Sequence, residues 1–102
     1  MIKHVSRLEI EIFKSKKSNR VKLLGFLSNL KNMIGAESES SLTTFRFTFG
    51  KPHRRYRIKI STDTFVKNGT LESILYSIKN IVGEKSQVRI TYTYRSYLEN
   101  GF

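Results

Sequence analysis

Displaced by 48 positions, this chain falls on a copy of its own pattern. Arg7-Leu8-Glu9-Ile10-Glu11-Ile12 lands on Arg55-Tyr56-Arg57-Ile58-Lys59-Ile60. With no gap, Leu30-Lys31-Asn32-Met33-Ile34-Gly35 lands on Ile78-Lys79-Asn80-Ile81-Val82-Gly83. Between 7 and 35, eight residues are identical to their counterparts: Arg7, Ile10, Ile12, Leu23, Leu27, Lys31, Asn32 and Gly35. A self-match at fixed offset marks one supersecondary unit used twice, and it restricts the fold before any single residue is weighed.

Each copy reads strand, helix, strand. Arg7 to Phe13 alternates, with Leu8, Ile10 and Ile12 on one side and Arg7, Glu9 and Glu11 on the other. A period of two predicts a strand with one face buried and one wet. After a polar turn, Ser18 or Asn19 can cap a helix. Its expected stripe is Val21, Leu24, Leu27, Leu30 and Ile34, widened by Leu23, Phe26 and Met33. Gly35 closes it, since glycine takes a left-handed residue without steric cost. A Ser/Glu loop over 36–41 leads to a strand over 43–49, with Phe45, Phe47 and Phe49 on one side. In the second copy Tyr56, Ile58 and Ile60 alternate with Arg55, Arg57 and Lys59. Thr70 is the expected cap of a helix whose stripe is Leu71, Ile74, Leu75, Ile78, Ile81 and Val82, closed by Gly83. A last strand sets Val88, Ile90, Tyr92 and Tyr94 against Arg89, Thr91, Thr93 and Arg95, its offset reduced to 45 by a shorter loop.

Greasy strand faces and greasy helix stripes are buried together if both helices cover one side of a four-stranded sheet. The expectation is an α+β fold made of two tandem βαβ motifs in a ferredoxin-like arrangement. Residues 1–102 would form a single domain of two similar motifs, 5–50 and 53–97, joined by the turn Gly50-Lys51-Pro52-His53-Arg54. The rival packing makes each motif a separate lobe with a furrow at the seam.

Composition narrows the function classes. Nineteen Lys and Arg oppose eight Asp and Glu, for a net charge of +11 and a pI near 10.2. Such an excess attracts polyanions and speeds encounter with them. No apolar run approaches the roughly 18 residues of a membrane span. The start shows no signal peptide, so the expected location is intracellular, in a host cytoplasm. With no cysteine there is neither a disulfide frame nor a thiolate nucleophile. His4 and His53 are the only histidines, and neither has further ligands at metal-binding spacing. Asp63 between Thr62 and Thr64 reads as turn chemistry. No nucleophile elbow or phosphate-binding glycine loop is present. The expectation is no enzyme, no metal and no cofactor.

Two binding surfaces remain. The first is the seam between the copies, or an exposed strand edge able to take an extended protein or peptide partner. Phe49, Lys51, His53, Tyr94, Tyr97 and Phe102 are its candidate contacts. The alternative is sequence-neutral nucleic-acid binding by the wet sheet face, through Arg7, Arg46, Arg55, Arg57, Lys59, Arg89 and Arg95. The plainer reading of that face is a solvated surface of cross-strand pairs with Glu9 and Glu11. The strand aromatics Phe45, Phe47, Phe49, Tyr56, Tyr92 and Tyr94 share the apolar side, which argues against base stacking.

With Leu30-Lys31-Asn32-Met33-Ile34-Gly35 and Ile78-Lys79-Asn80-Ile81-Val82-Gly83 marking the duplication, the chain resembles the small uncharacterised proteins of filamentous viruses of hyperthermophilic archaea. The lack of Cys and Trp, the single Gln and the Lys/Ile/Tyr-rich usage fit that setting. The resemblance implies a non-enzymatic accessory role, through protein contacts, in an infected cell or a virion. It carries over no site residue. The leading expectation is therefore an interaction module for a protein or peptide, monomeric or homodimeric.

Overall fold

In the computed structural model, residues 2–16, 19–34, 44–50, 55–83 and 85–98 are described, those at 44, 45, 49 and 50 by backbone alone. The elements run β1 (Ile2–Phe13), α1 (Asn19–Met33), β2 (Thr44–Gly50), β3 (Arg55–Thr62), α2 (Asn68–Val82) and β4 (Gln87–Leu98). They form the expected ferredoxin-like fold. One four-stranded sheet has the order β2-β3-β1-β4, antiparallel throughout. The halves are interleaved: β3 of the second copy lies between β2 and β1 of the first. The duplication is thus built into one sheet, and the two-lobed alternative does not form.

Register explains the core. Ile10 sits opposite Ile58 on β3 and Ile90 on β4, while Ile58 sits opposite Phe47 on β2. One residue of slip would turn this whole row to solvent, so the apolar alternation fixes the pairing. Leu8, Ile12, Tyr56 and Ile60 flank the row, and Leu23, Phe26, Leu30, Ile34, Ile74 and Ile78 close it from the helices. Each fully buried isoleucine contributes about 1.5–3 kcal/mol relative to exposure. Polar groups at the core's edge find partners: the Tyr92 hydroxyl accepts the Val66 N–H at 2.9 Å and lies 3.0 Å from Ser6 Oγ.

Several expectations are corrected. Val21 and Leu24 are exposed, and the buried stripe of α1 runs through Leu23, Phe26 and Leu30. Helix α2 starts at Asn68, with Lys67 at the cap position and no side-chain cap bond, so Thr70 lies inside the first turn. Gly83 does end α2 at φ 83°, but ψ is 171°, and its N–H donates to Lys79 O at 2.8 Å. Thr64 N–H donates to Thr62 Oγ1, the turn bond expected around Asp63. Strand β1 begins at Ile2 and β4 continues to Leu98, because Ile2 to Ser6 pair with Tyr94 to Leu98. The two strands thereby project as a two-stranded ribbon beyond the end of β3. Ser18, Gly35, the 36–41 loop and the 51–54 turn lie outside the described residues.

Candidate nucleic-acid interface

Because side chains alternate along a strand, odd positions of β1, β3 and β4 and even positions of β2 share the uncovered sheet face. The register places all seven predicted cations there. Across the sheet the rows read Thr48, Arg57, Glu11, Arg89, then Arg46, Lys59, Glu9, Thr91, then Thr44, Ser61, Arg7, Thr93. Arg95 stands opposite Val5 one row further, and Tyr97 opposite Lys3 beyond it.

The charge on this face is divided. At one end Glu11 is buried beneath three arginines: Arg89 Nη2 lies 2.8 Å from Oε1, while Arg55 Nη1 and Arg57 Nη2 lie 3.5 and 3.6 Å from Oε2. The Arg89 hydrogen bond, against the opposing effect of burial, holds the Glu11 carboxyl below the usual range, helped by the nearby charges of Arg89, Arg57 and Arg55. Arg57 Nε is 3.1 Å from Glu9 Oε1, near enough for charge pairing although the N–H is not aligned on it. The Arg89 guanidinium also lies over the Phe13 ring, 5.4 Å from its centroid. This end is the self-neutralised surface of the plainer reading.

At the other end the pairing stops, and Glu9, opposite Lys59 in the register but turned to Arg57, is the one carboxylate there among the described residues. Arg7, Arg46, Lys59 and Arg95 have no ion-pair partner among the described residues. The duplication explains why. Its offset maps Arg55 onto Arg7 and Glu11 onto Lys59. The ion pair Arg55–Glu11 in one half therefore becomes two like charges, Arg7 and Lys59, in the other. Both line one shallow hollow of about 450 Å³ with Arg46, Ser61 and Glu9, whose carboxylate is the one turned to Arg57. Arg7 also borders a second, of about 660 Å³, lined by Val5, Thr93, Arg95, Ser96 and Tyr97. Arg46 and Lys59 border a third, with Thr48 and Arg57. The three are neighbours through the shared Arg7, Arg46 and Lys59, and cations and hydroxyls make up most of their lining.

The seam residues are not brought together. Phe49 is on β2 and Tyr94 and Tyr97 on β4, at opposite edges of the sheet. Lys51, His53 and Phe102 lie outside the described residues. Tyr94 and Tyr97 also point to opposite faces. Tyr94 packs edge-on against Phe65 at 5.0 Å, and its hydroxyl lies 2.9 Å from His4 Nδ1. Tyr97 joins the cationic face, where the expectation of aromatics only on the apolar side had placed none. Its odd position was the readable signal, obscured because the last strand was expected to end at Arg95. Among the described residues no three His, Asp or Glu side chains could together hold a metal ion. No described helix is long and apolar enough to cross a membrane.

Fold and surface together define an α+β sandwich of ferredoxin-like type with a basic sheet face that no described element covers. No protein-family model and no curated protein matches the chain. Among solved structures it is similar to the de novo designed protein Foldit4, with a TM-score of 0.58 and 19% identity over 87% of this chain and 96% of that one. Weaker likenesses are a C-terminal segment of the alpha subunit of aIF2 from Pyrococcus abyssi (TM-score 0.45, 23% identity, 84% of this chain and 48% of that one) and protein SO0527 from Shewanella oneidensis (TM-score 0.43, 12% identity, 92% and 96%). The likeness to the designed protein speaks to the fold alone.

Proposed function

We propose that this protein binds the phosphate backbone of nucleic acid, without sequence preference, on its uncovered sheet face. The observation that supports this reading most is that Arg7, Arg46, Lys59 and Arg95 form no ion pair among the described residues, on a face that pairs its other cations with Glu9 and Glu11. Unpaired cations held close together repel one another, and a polyanion removes that cost while releasing its own counterions. Ser61, Thr91 and Thr93 stand between the cations and supply hydroxyl donors for phosphate oxygens. The test is fluorescence anisotropy of labelled oligonucleotides at low salt. Wild-type protein should bind, the double variant Arg7→Ala/Lys59→Ala should bind at least tenfold more weakly, and Arg55→Ala should change little. A lack of any oligonucleotide shift at low ionic strength rules the function out.

A second reading rests on the outer edge of β4. That strand has twelve residues, none of them acidic, and lies at the end of the sheet. Ile2, Phe65, Tyr94 and Leu98 are exposed around its projecting end. An extended segment of a protein partner could pair there as a fifth strand. Retention of a protein partner by the Arg7→Ala/Lys59→Ala variant, together with its loss on Tyr94→Asp/Leu98→Asp, would support this second use.

A further inference from the structure

We infer that the site takes a single strand in preference to a duplex, with Tyr97 as the platform on which an unpaired base stacks. The inference rests on the backbone-binding reading above and adds the ligand's form. The unpaired cations do not follow a strand or a row. Arg46 on β2 and Lys59 on β3 are directly opposite. Arg7 on β1 is displaced by one row, and Arg95 on β4 by a further row. They trace a diagonal across all four strands, spanning about 20 Å at ordinary strand spacing and rise. Two residues beyond Arg95 on the same face stands Tyr97, half-exposed and without hydrogen bond or ring contact among the described residues. It lines the same hollow as Arg7 and Arg95.

A single diagonal line of charge ending at an open aromatic ring matches one flexible strand. The phosphates follow the cations, and the strand's bases are free to turn onto the ring. A duplex keeps its bases stacked internally, so it can use the cations but not the ring. Stacking is tolerant of base identity because every base presents a π-face. This suits a surface that offers no set of convergent base-edge donors and acceptors.

The probes are fluorescein-labelled dT12, rU12, an abasic 12-mer with the same backbone, and a 12-base-pair duplex, all at one low salt concentration. Wild-type protein should bind dT12 more tightly than the abasic strand or the duplex. Tyr97→Ala should weaken dT12 binding about 5- to 150-fold, the range expected for losing one stacked base, and leave abasic binding unchanged. Tyr97→Phe should retain affinity, since the ring and not the hydroxyl is used. The chain contains no Trp, so Tyr97→Trp adds a single indole whose fluorescence should be quenched by dT12 and not by the abasic strand. Comparison of rU12 with dT12 shows whether the strand is RNA, DNA or either, and each result fits the proposal. Equal binding of dT12 and the abasic strand, with Tyr97→Ala silent, overturns the stacking inference and leaves backbone binding standing. Failure of every probe to bind overturns both.

Discussion

Among the described residues Glu11 is the one charged side chain that is buried. A buried carboxylate is costly unless paired, and Glu11 is paired three times. Glu11→Gln keeps the shape and removes the charge, leaving Arg55, Arg57 and Arg89 to repel one another. The expected loss is about 1–3 kcal/mol, below that of a fully enclosed pair because the arginines are partly solvated. The pH dependence has a definite sign. The folded Glu11 pKa is depressed below its ordinary 4.5, so its contribution is complete above that value and is lost as pH falls through the lowered folded value. Urea denaturation at pH 7 and near pH 3 should therefore show a large wild-type advantage over Glu11→Gln that shrinks in acid. An advantage independent of pH would contradict the pairing. Tyr56 sets the opposite limit. Burial pushes its hydroxyl pKa up from 10.0, so its contribution fades as alkali takes the unfolded tyrosine through its own ionisation.

Among the elements, two glycines with the same open surroundings should respond with opposite sign. A Cβ added at Gly25 or Gly83 meets no atom within 4 Å, so sterics are equal and the backbone decides. Gly25 lies inside α1, where glycine costs about 0.5–1 kcal/mol relative to alanine, and Gly25→Ala should raise stability by that amount. Gly83 holds a φ of 83° at the end of α2, which alanine adopts only under strain, and Gly83→Ala should lower stability by about 1 kcal/mol. Thermal melts of the two variants should move in opposite directions. The closing role of Gly83 was readable in the sequence, as were all six elements. The buried face of α1 was not readable from its own periodicity, because Val21, Leu23, Leu24, Phe26 and Leu27 wrap more than one side. The repeat held the answer. At an offset of 48, Leu23, Phe26 and Leu30 map onto Leu71, Ile74 and Ile78, the inner stripe of α2, whereas Val21 and Leu24 map onto Gly69 and Glu72. Reading both helices against one another separates core from surface where one helix alone cannot.

For the whole molecule, alternation alone predicted that seven cations would share a face. Which of them are free depends on register, which turns Glu11 toward Arg57 and Arg89 and leaves Arg7 opposite Ser61 and Thr93. No periodicity encodes that pairing, so the division of the face into a neutralised end and a bare end emerges only in the assembled sheet. The same interleaving sends Phe49 and Tyr97 to opposite edges, and with it goes the idea of a single groove built by both. The division makes a quantitative prediction about salt. If the four unpaired cations each meet a phosphate of a single strand, the slope of log K against log salt should be about −3, and affinity should fall about 50-fold between 50 and 200 mM. Removing one free cation, as in Arg7→Ala or Arg95→Ala, should make the slope shallower by about 0.7. Arg89→Ala should leave the slope unchanged and lower stability instead, since that guanidinium is already committed to Glu11. Equal slope changes from Arg7→Ala and Arg89→Ala would show that net charge, and not the bare end of the sheet, governs binding. Titrating each variant over the same salt range distinguishes the two, because net charge is identical in all three single substitutions and only the position of the lost cation differs.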